Sequence, residues 1–160
     1  MIRPLACALV LLSPAAAFAQ TDGTPDAARS AIEASALALD TDGDGRLAPA
    51  EIDVAVTEMF PSLDADGSGA VDRTEFEEWP FGFHDMAAHR DRAEAYHAVF
   101  GLLFDLFDRG GDGRLDLPEL REGMAAAAAY ADRDGDGAMS RTEFLRGFVP
   151  NVALRHAMRD

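Results

Sequence analysis

Twelve residues, Asp40–Glu51 (DTDGDGRLAPAE), constrain the whole chain because their pattern returns three times. The recurrences are Asp64–Glu75 (DADGSGAVDRTE), Asp108–Glu119 (DRGGDGRLDLPE) and Asp132–Glu143 (DRDGDGAMSRTE). Every copy begins with Asp, has Gly sixth and an aliphatic residue or Met eighth, and ends with Glu. Oxygen-bearing side chains fill the third and fifth positions, except at Gly110. The sixth-position glycine tolerates positive φ, so it permits the sharp turn that gathers these oxygens around one point. Such a point attracts a cation.

Four full-length copies of this calcium-loop pattern resemble the EF-hand superfamily. The resemblance implies an all-α fold of four helix-loop-helix calcium loops arranged in two halves. It also implies a ligand set. In loop one, Asp40, Asp42 and Asp44 offer carboxylates, Arg46 its backbone carbonyl and Glu51 both carboxylate oxygens, while Ala48 leaves the ninth position to water. Loop four repeats this with Asp132, Asp134, Asp136, the carbonyl of Ala138, Ser140 and Glu143. Loop two uses Asp64, Asp66, Ser68, the carbonyl of Ala70 and Glu75, and gains Asp72 at the ninth position. Loop three is the damaged one: Gly110 brings no oxygen, leaving Asp108, Asp112, the carbonyl of Arg114 and Glu119, with Asp116 acting through water. Three or four calcium ions are expected, the third loop binding most weakly. A bidentate Glu at the twelfth position favours calcium over the rigidly octahedral magnesium. Leu47, Val71, Leu115 and Met139 at the eighth positions are expected to pack loop against loop.

All fourteen basic residues are Arg, against 29 acids, and the net charge is −15. Sixteen of the acids lie in the four loops. Nucleic acid and anionic membrane surfaces are poor partners for such a chain, because phosphate binding needs concentrated Lys or Arg. Residues 1–19 read as a secretory signal: Arg3, an apolar run from Leu5 to Leu12, and Ala17-Phe18-Ala19 before the cleavage point. The apolar run is broken by Pro14 and falls short of the ~20 residues that span a membrane. Cleavage after Ala19 removes Arg3 and Cys7, the only cysteine, leaving thirteen Arg against 29 acids and no disulfide. The expected location is the periplasm or beyond. A chain so negative repels itself without metal, so compaction is expected to depend on calcium.

Loops one and two start 24 residues apart, as do loops three and four, so twelve residues separate each pair. The simplest solution is one shared helix, with Val56 and Met59 serving both neighbouring loops in the first half and Met124 and Ala127 in the second. Twelve helical residues span ~18 Å. That length holds consecutive loops apart and points to pairing between non-adjacent loops. A helix broken near Pro61 is the alternative. The chain divides into residues 20–79, the first pair of hands; 80–90, an aromatic linker; and 91–160, the second pair. Residues 20–26 read as an irregular lead-in before a helix over 26–39 carrying Ile32, Ala36 and Leu39. The cluster Trp79, Phe81 and Phe83, beside Pro80 and Gly82, argues against regular helix. A strong helix is predicted over 91–107, with Phe100, Leu103, Phe104 and Phe107 on one face. The last helix is expected over 141–148, ending near Pro150, with frayed residues beyond.

The implied function is non-enzymatic calcium binding, as buffer, sensor or calcium-stabilised module. A sensor, acting as a calcium-dependent adaptor, would present an apolar groove to a protein target, with Met59, Met86, Met124 and Met158 available to line it. Core filling is the commoner use of Met. A narrower resemblance, in loop spacing and export, is to lanmodulin, a lanthanide-binding protein. Its loops carry Pro second and Asp ninth, whereas this chain has Thr41, Ala65, Arg109 and Arg133 second, and Asp ninth only at Asp72 and Asp116. His84, His89 and His97 match no catalytic or metal-binding signature.

Overall fold

A computed structural model describes residues 25–79 and 83–158 of the chain. The leader over 1–19, the first residues of the lead-in, Phe81 of the linker and the side chain of Met86 lie outside what is described. Helix α1 (Pro25–Leu39) buries Ile32 and Ala36, with Leu39 packed beside them. It runs into loop one, whose two-residue strand β1 (Arg46–Leu47) leads to α2 (Pro49–Leu63). Proline fixes φ at a helical value and has no N–H to lose in a first turn, so Pro49 starts this helix well. Pro61 does not break it: α2 runs continuously to the first residue of loop two and buries Ile52, Val56, Phe60 and Leu63. Loop two holds β2 (Ala70–Asp72) and continues into the short α3 (Arg73–Glu77).

The second half repeats this plan. Helix α4 (His84–His89) precedes α5 (Ala93–Phe107); β3 (Arg114–Asp116) lies in loop three; α6 (Leu117–Ala131) is again one helix between two loops. Loop four holds β4 (Met139–Ser140) and passes to α7 (Arg141–Gly147) and α8 (Val149–Ala157). Both shared helices are therefore present. Each has fifteen residues, which at 1.5 Å rise is about 22 Å of axis.

That length keeps loop one from loop two and loop three from loop four, and the strands show which loops meet instead. Strand β1 pairs antiparallel with β4, setting Leu47 opposite Met139, and β2 pairs with β3, setting Val71 opposite Leu115. Loop one thus meets loop four at one end, and loop two meets loop three at the other. It follows that α2 and α6 run antiparallel between the two sheets, where Arg121 forks onto both carboxylate oxygens of Asp53. The segments 20–79 and 91–160 interlock, each lending one loop to each sheet. All four eighth-position side chains are buried to 3% exposure or less. The loop ends are part of the core.

Phe76 of α3 fills the space beside α5, with its ring 5.8 Å from Phe104 and 6.3 Å from Phe107, both edge-on. Leu103, Phe104 and Phe107 are buried as their spacing predicts, and Phe100 packs at the margin, stacked on Tyr96 at 4.1 Å. Trp79 donates from Nε1 to Ser62 Oγ at 3.2 Å, tying the start of the linker to the end of α2.

Helix α4 follows the aromatic cluster, with Ala87 anchoring it in the core. One expectation needs correction: residues 151–157 do not fray. Pro150 lies in the first turn of α8 and begins a helix instead of ending one, and α8 buries Ala153, Leu154 and Ala157. Buried Asn151 is satisfied, donating from Nδ2 to the Phe144 carbonyl at 3.0 Å. Of the methionines, Met139 and Met158 are buried, and Met59 and Met124 are partly buried against the core.

Candidate metal centre

The four loops share one internal scaffold, written in hydrogen bonds from backbone amides to carboxylates. The first-position Asp accepts from the sixth-position glycine in each loop: Gly45 to Asp40 at 2.9 Å, Gly69 to Asp64 at 2.9 Å, Gly113 to Asp108 at 2.8 Å and Gly137 to Asp132 at 2.9 Å. Those glycines carry φ from +81° to +93°, a region L side chains rarely adopt. The fourth-position glycines are left-handed as well, Gly43 at +74° for example. All four loops carry Gly at this position, a regularity that the ligand reading passed over.

The twelfth-position Glu closes each loop from the following helix. Glu51 takes the Thr41 amide on Oε1 at 2.7 Å and the Ala48 amide on Oε2 at 2.9 Å. Glu75 spans the Ala65 and Asp72 amides in the same way, and Glu143 the Arg133 and Ser140 amides. In loop three Glu119 accepts from Gly110 at 2.8 Å and more loosely from Asp116 at 3.3 Å. Because each Glu sits in a helical first turn, the helix holds both carboxylate oxygens at the loop mouth.

These contacts shift the acids in opposite directions. The Ser140 hydroxyl, aided by the Ser140 and Arg133 amides, holds Glu143 down at about 2. Desolvation pushes Glu51 up, but bonds from the Ala48 amide and from the Thr41 hydroxyl and amide outweigh it and leave the group lowered. Ser68 lowers Asp66 through its side chain and its amide. Asp134 goes up, through desolvation first and the charges of Asp136, Glu143 and Asp132 after it, against one bond from the Asp136 amide. A crowded carboxylate held above its usual range is the mark of a site that gains from a cation.

Three loops bring their acids close enough to share an ion. Oxygens of Asp40, Asp42 and Glu51 lie within 4.8 Å of one another, as do those of Asp64, Asp66 and Glu75, and those of Asp132, Asp134 and Asp136. Asp44 stands beside the first group, accepting the Arg46 amide at 2.8 Å. Ser68 joins the second through Oγ, which donates to the Ala70 carbonyl at 2.9 Å. Asp108, Asp112 and Glu119 of loop three form no such group among the described residues. This all-oxygen donor set fits a hard divalent cation of calcium's size.

Two side chains that the sequence reading used only for their carbonyls reach across the sheets. Arg46 Nη2 donates to Asp136 and, at 3.0 Å, to the Ala138 carbonyl of loop four. Arg114 Nη2 donates to Ser68 Oγ and, at 3.1 Å, to the Ala70 carbonyl of loop two. His84 and His97 stack at 5.1 Å beside Tyr96, and no histidine joins the acid groups among the described residues. No helix among the described residues is long and apolar enough to cross a membrane.

Comparison with known proteins agrees with this geometry. The family model described as EF hand matches residues 57–79 and 101–125, which contain loops two and three. The chain is 33% identical over 145 residues to the probable calcium-binding protein CML16 of Oryza sativa subsp. japonica, covering 72% of this chain and 75% of that protein. It is 30% identical over 122 residues to the calcium-binding protein LPS1-alpha of Lytechinus pictus, covering 66% of this chain. The match spans only 36% of that sea urchin protein's length. Calcium-binding protein SPEC 2C of Strongylocentrotus purpuratus is 26% identical over 143 residues, with 74% of this chain and 89% of that protein covered.

Proposed function

Because this chain belongs to the EF-hand family of calcium-binding proteins, we propose that it is an exported, non-enzymatic calcium binder whose metal ions hold the two ends of the α2–α6 pair together. Its role is that of a calcium-stabilised module and reservoir. The observation that carries this reading is the burial of Leu47, Val71, Leu115 and Met139 in facing pairs between loops. Ordering a loop and completing the core are then one event, so binding free energy is also folding free energy. The ligands are those assigned above, with loops one, two and four loaded before loop three. Extracellular modules of this kind work at ~10⁻⁴–10⁻³ M, in keeping with the leader over residues 1–19 and cleavage after Ala19.

A second reading, the calcium-dependent adaptor, draws support from a groove of about 230 Å³ between α5, α6 and the start of α8. Leu106 and Tyr130 line it and are each 60% exposed. Its target would be an apolar segment carrying basic residues, to suit so acidic a chain. Hydrophobic-dye binding that appears only with calcium would favour the adaptor over the reservoir.

The deciding experiment is isothermal titration of residues 20–160 with calcium, magnesium and terbium, alongside thermal melting with and without chelator. Three or four calcium sites, weak magnesium binding and a lower melting temperature in chelator are expected. Terbium strongly preferred over calcium would turn the assignment toward a lanmodulin-like lanthanide binder. No uptake at millimolar calcium, or an unchanged melt, would refute the proposal.

A further inference from the structure

Loops one and three carry Arg at the seventh position, and loops two and four carry Ala. The strand register pairs an Arg loop with an Ala loop at each end of the molecule: β1 of loop one lies on β4 of loop four, and β3 of loop three lies on β2 of loop two. Ala138 and Ala70 offer no side chain to block an arm from the facing strand. Arg46 and Arg114 use that opening identically, each placing one guanidinium nitrogen on the fifth-position side chain and the seventh-position carbonyl of the other loop. Asp136 with the Ala138 carbonyl, and Ser68 with the Ala70 carbonyl, are two of the oxygens a cation in loop four or loop two needs.

We infer that Arg46 and Arg114 are tethered cations that compete with calcium for loops four and two, so that loading of these two loops includes displacement of an arginine from the facing loop. The inference rests on the calcium reading above. A guanidinium suits this task because Nη2 alone carries two N–H donors, one for each oxygen, at the end of a stem longer than lysine's. The contacts are partly exposed, and exposed ion pairs hold weakly. The arms therefore weaken their target loops without closing them. Among the described residues loops one and three receive no such arm, so the device delays loop four relative to loop one and narrows the lead of loop two over the donor-poor loop three.

The test follows each loop separately. The amide of each sixth-position glycine donates to its own loop's first Asp, so the Gly45, Gly69, Gly113 and Gly137 amides report the four loops in a ¹⁵N-resolved calcium titration of the mature chain. Arg46→Gln keeps the loop-one carbonyl and removes the arm. It should move the Gly137 midpoint to lower calcium by about two- to fivefold, the population held by a weak exposed pair, and leave Gly69 and Gly113 in place. Arg114→Gln should move Gly69 alone in the same way. Arg46→Lys retains the charge on a shorter stem that stops short of the facing loop and should follow Arg46→Gln. If Arg46→Lys titrates as wild type while Arg46→Gln moves Gly45 and Gly137 equally, general charge is responsible and the inference is overturned. An unmoved Gly137 overturns it too. Failure of all four wild-type amides to respond to calcium would instead overturn the calcium reading itself.

Discussion

Gly123 lies on α6 against Phe107 of α5, and replacing it sets two measurable effects against each other. A Cβ there would stand 2.5 Å from Phe107 Cδ1 and 2.8 Å from its Cγ. Phe107 is 1% exposed and meets Phe76 edge-on, so its ring cannot swing out to solvent without leaving that contact. Removing a helical glycine gains about 1 kcal/mol, while overpacking a tight core costs about 1–3 kcal/mol. A contact at 2.5 Å requires a ring or helix shift approaching an ångström, which puts the cost in the upper part of that range. Gly123→Ala should therefore destabilise the protein by about 1–2 kcal/mol net, a melting temperature about 2–8 °C lower for a chain of this size. Gly101→Ala is the matched control. It also lies in a helix, but the atoms its Cβ would meet are Glu77 Oε1 and Arg73 Nη1, at 2.8 and 3.0 Å. Both are ends of flexible side chains that can turn aside, so that variant should be neutral or slightly stabilised. Melts at one saturating calcium concentration decide the matter. A Gly123→Ala protein as stable as wild type would refute the claim that α5 and α6 are locked by this contact.

Gly110 has no positive φ, and a Cβ there would meet Glu119 Oε1 at 3.1 Å and Asp108 Oδ1 at 3.9 Å. Gly110→Asp should then supply the absent third-position carboxylate and raise loop-three affinity, visible as a tighter last step in calorimetric titration; an unchanged isotherm would contradict the ligand assignment. Glu143 is held at about 2 against an ordinary 4.5. A depressed carboxyl contributes stability that is present above the unfolded value and is lost as pH falls through the folded one. Ser140→Ala removes the largest cause of the depression, so in chelator its stability should fall at a higher pH than that of wild type on descending from pH 5 to 2. Coincident acid limbs would show that the Ser140 hydroxyl does not hold Glu143 down.

The loops were legible because metal coordination imposes residue type and spacing together, and few other constraints repeat over twelve positions. The shared helices were legible by subtraction: too few residues separate Asp40–Glu51 from Asp64–Glu75 for two helices and a turn. Phe104 and Phe107 declared their burial through helical periodicity. Other features were not local. Which loops pair depends on how α2 and α6 lie against each other; the expectation of non-adjacent partners holds for loops one and four but not for loops two and three, which follow one another in the chain. Pro150 was read as a stop because proline breaks a helix from within, yet the same locked φ begins one, and Leu154 and Ala157 behind it found a core to cover. The cross-sheet reach of Arg46 and Arg114 needed the strand register. The alternation of Arg and Ala at the seventh position was the one available hint.

A helix that closes a loop at each of its ends gives this molecule no independent lobes. α2 carries Glu51 at the mouth of loop one and Leu63 at the mouth of loop two, about 18 Å apart along a rod of hydrogen-bonded backbone. α6 does the same for loops three and four in the reverse direction. Where two separate hand-pairs would open like two hinges, this arrangement mounts both loop pairs on one pair of shafts, so neither end can part from the other without unseating a helix.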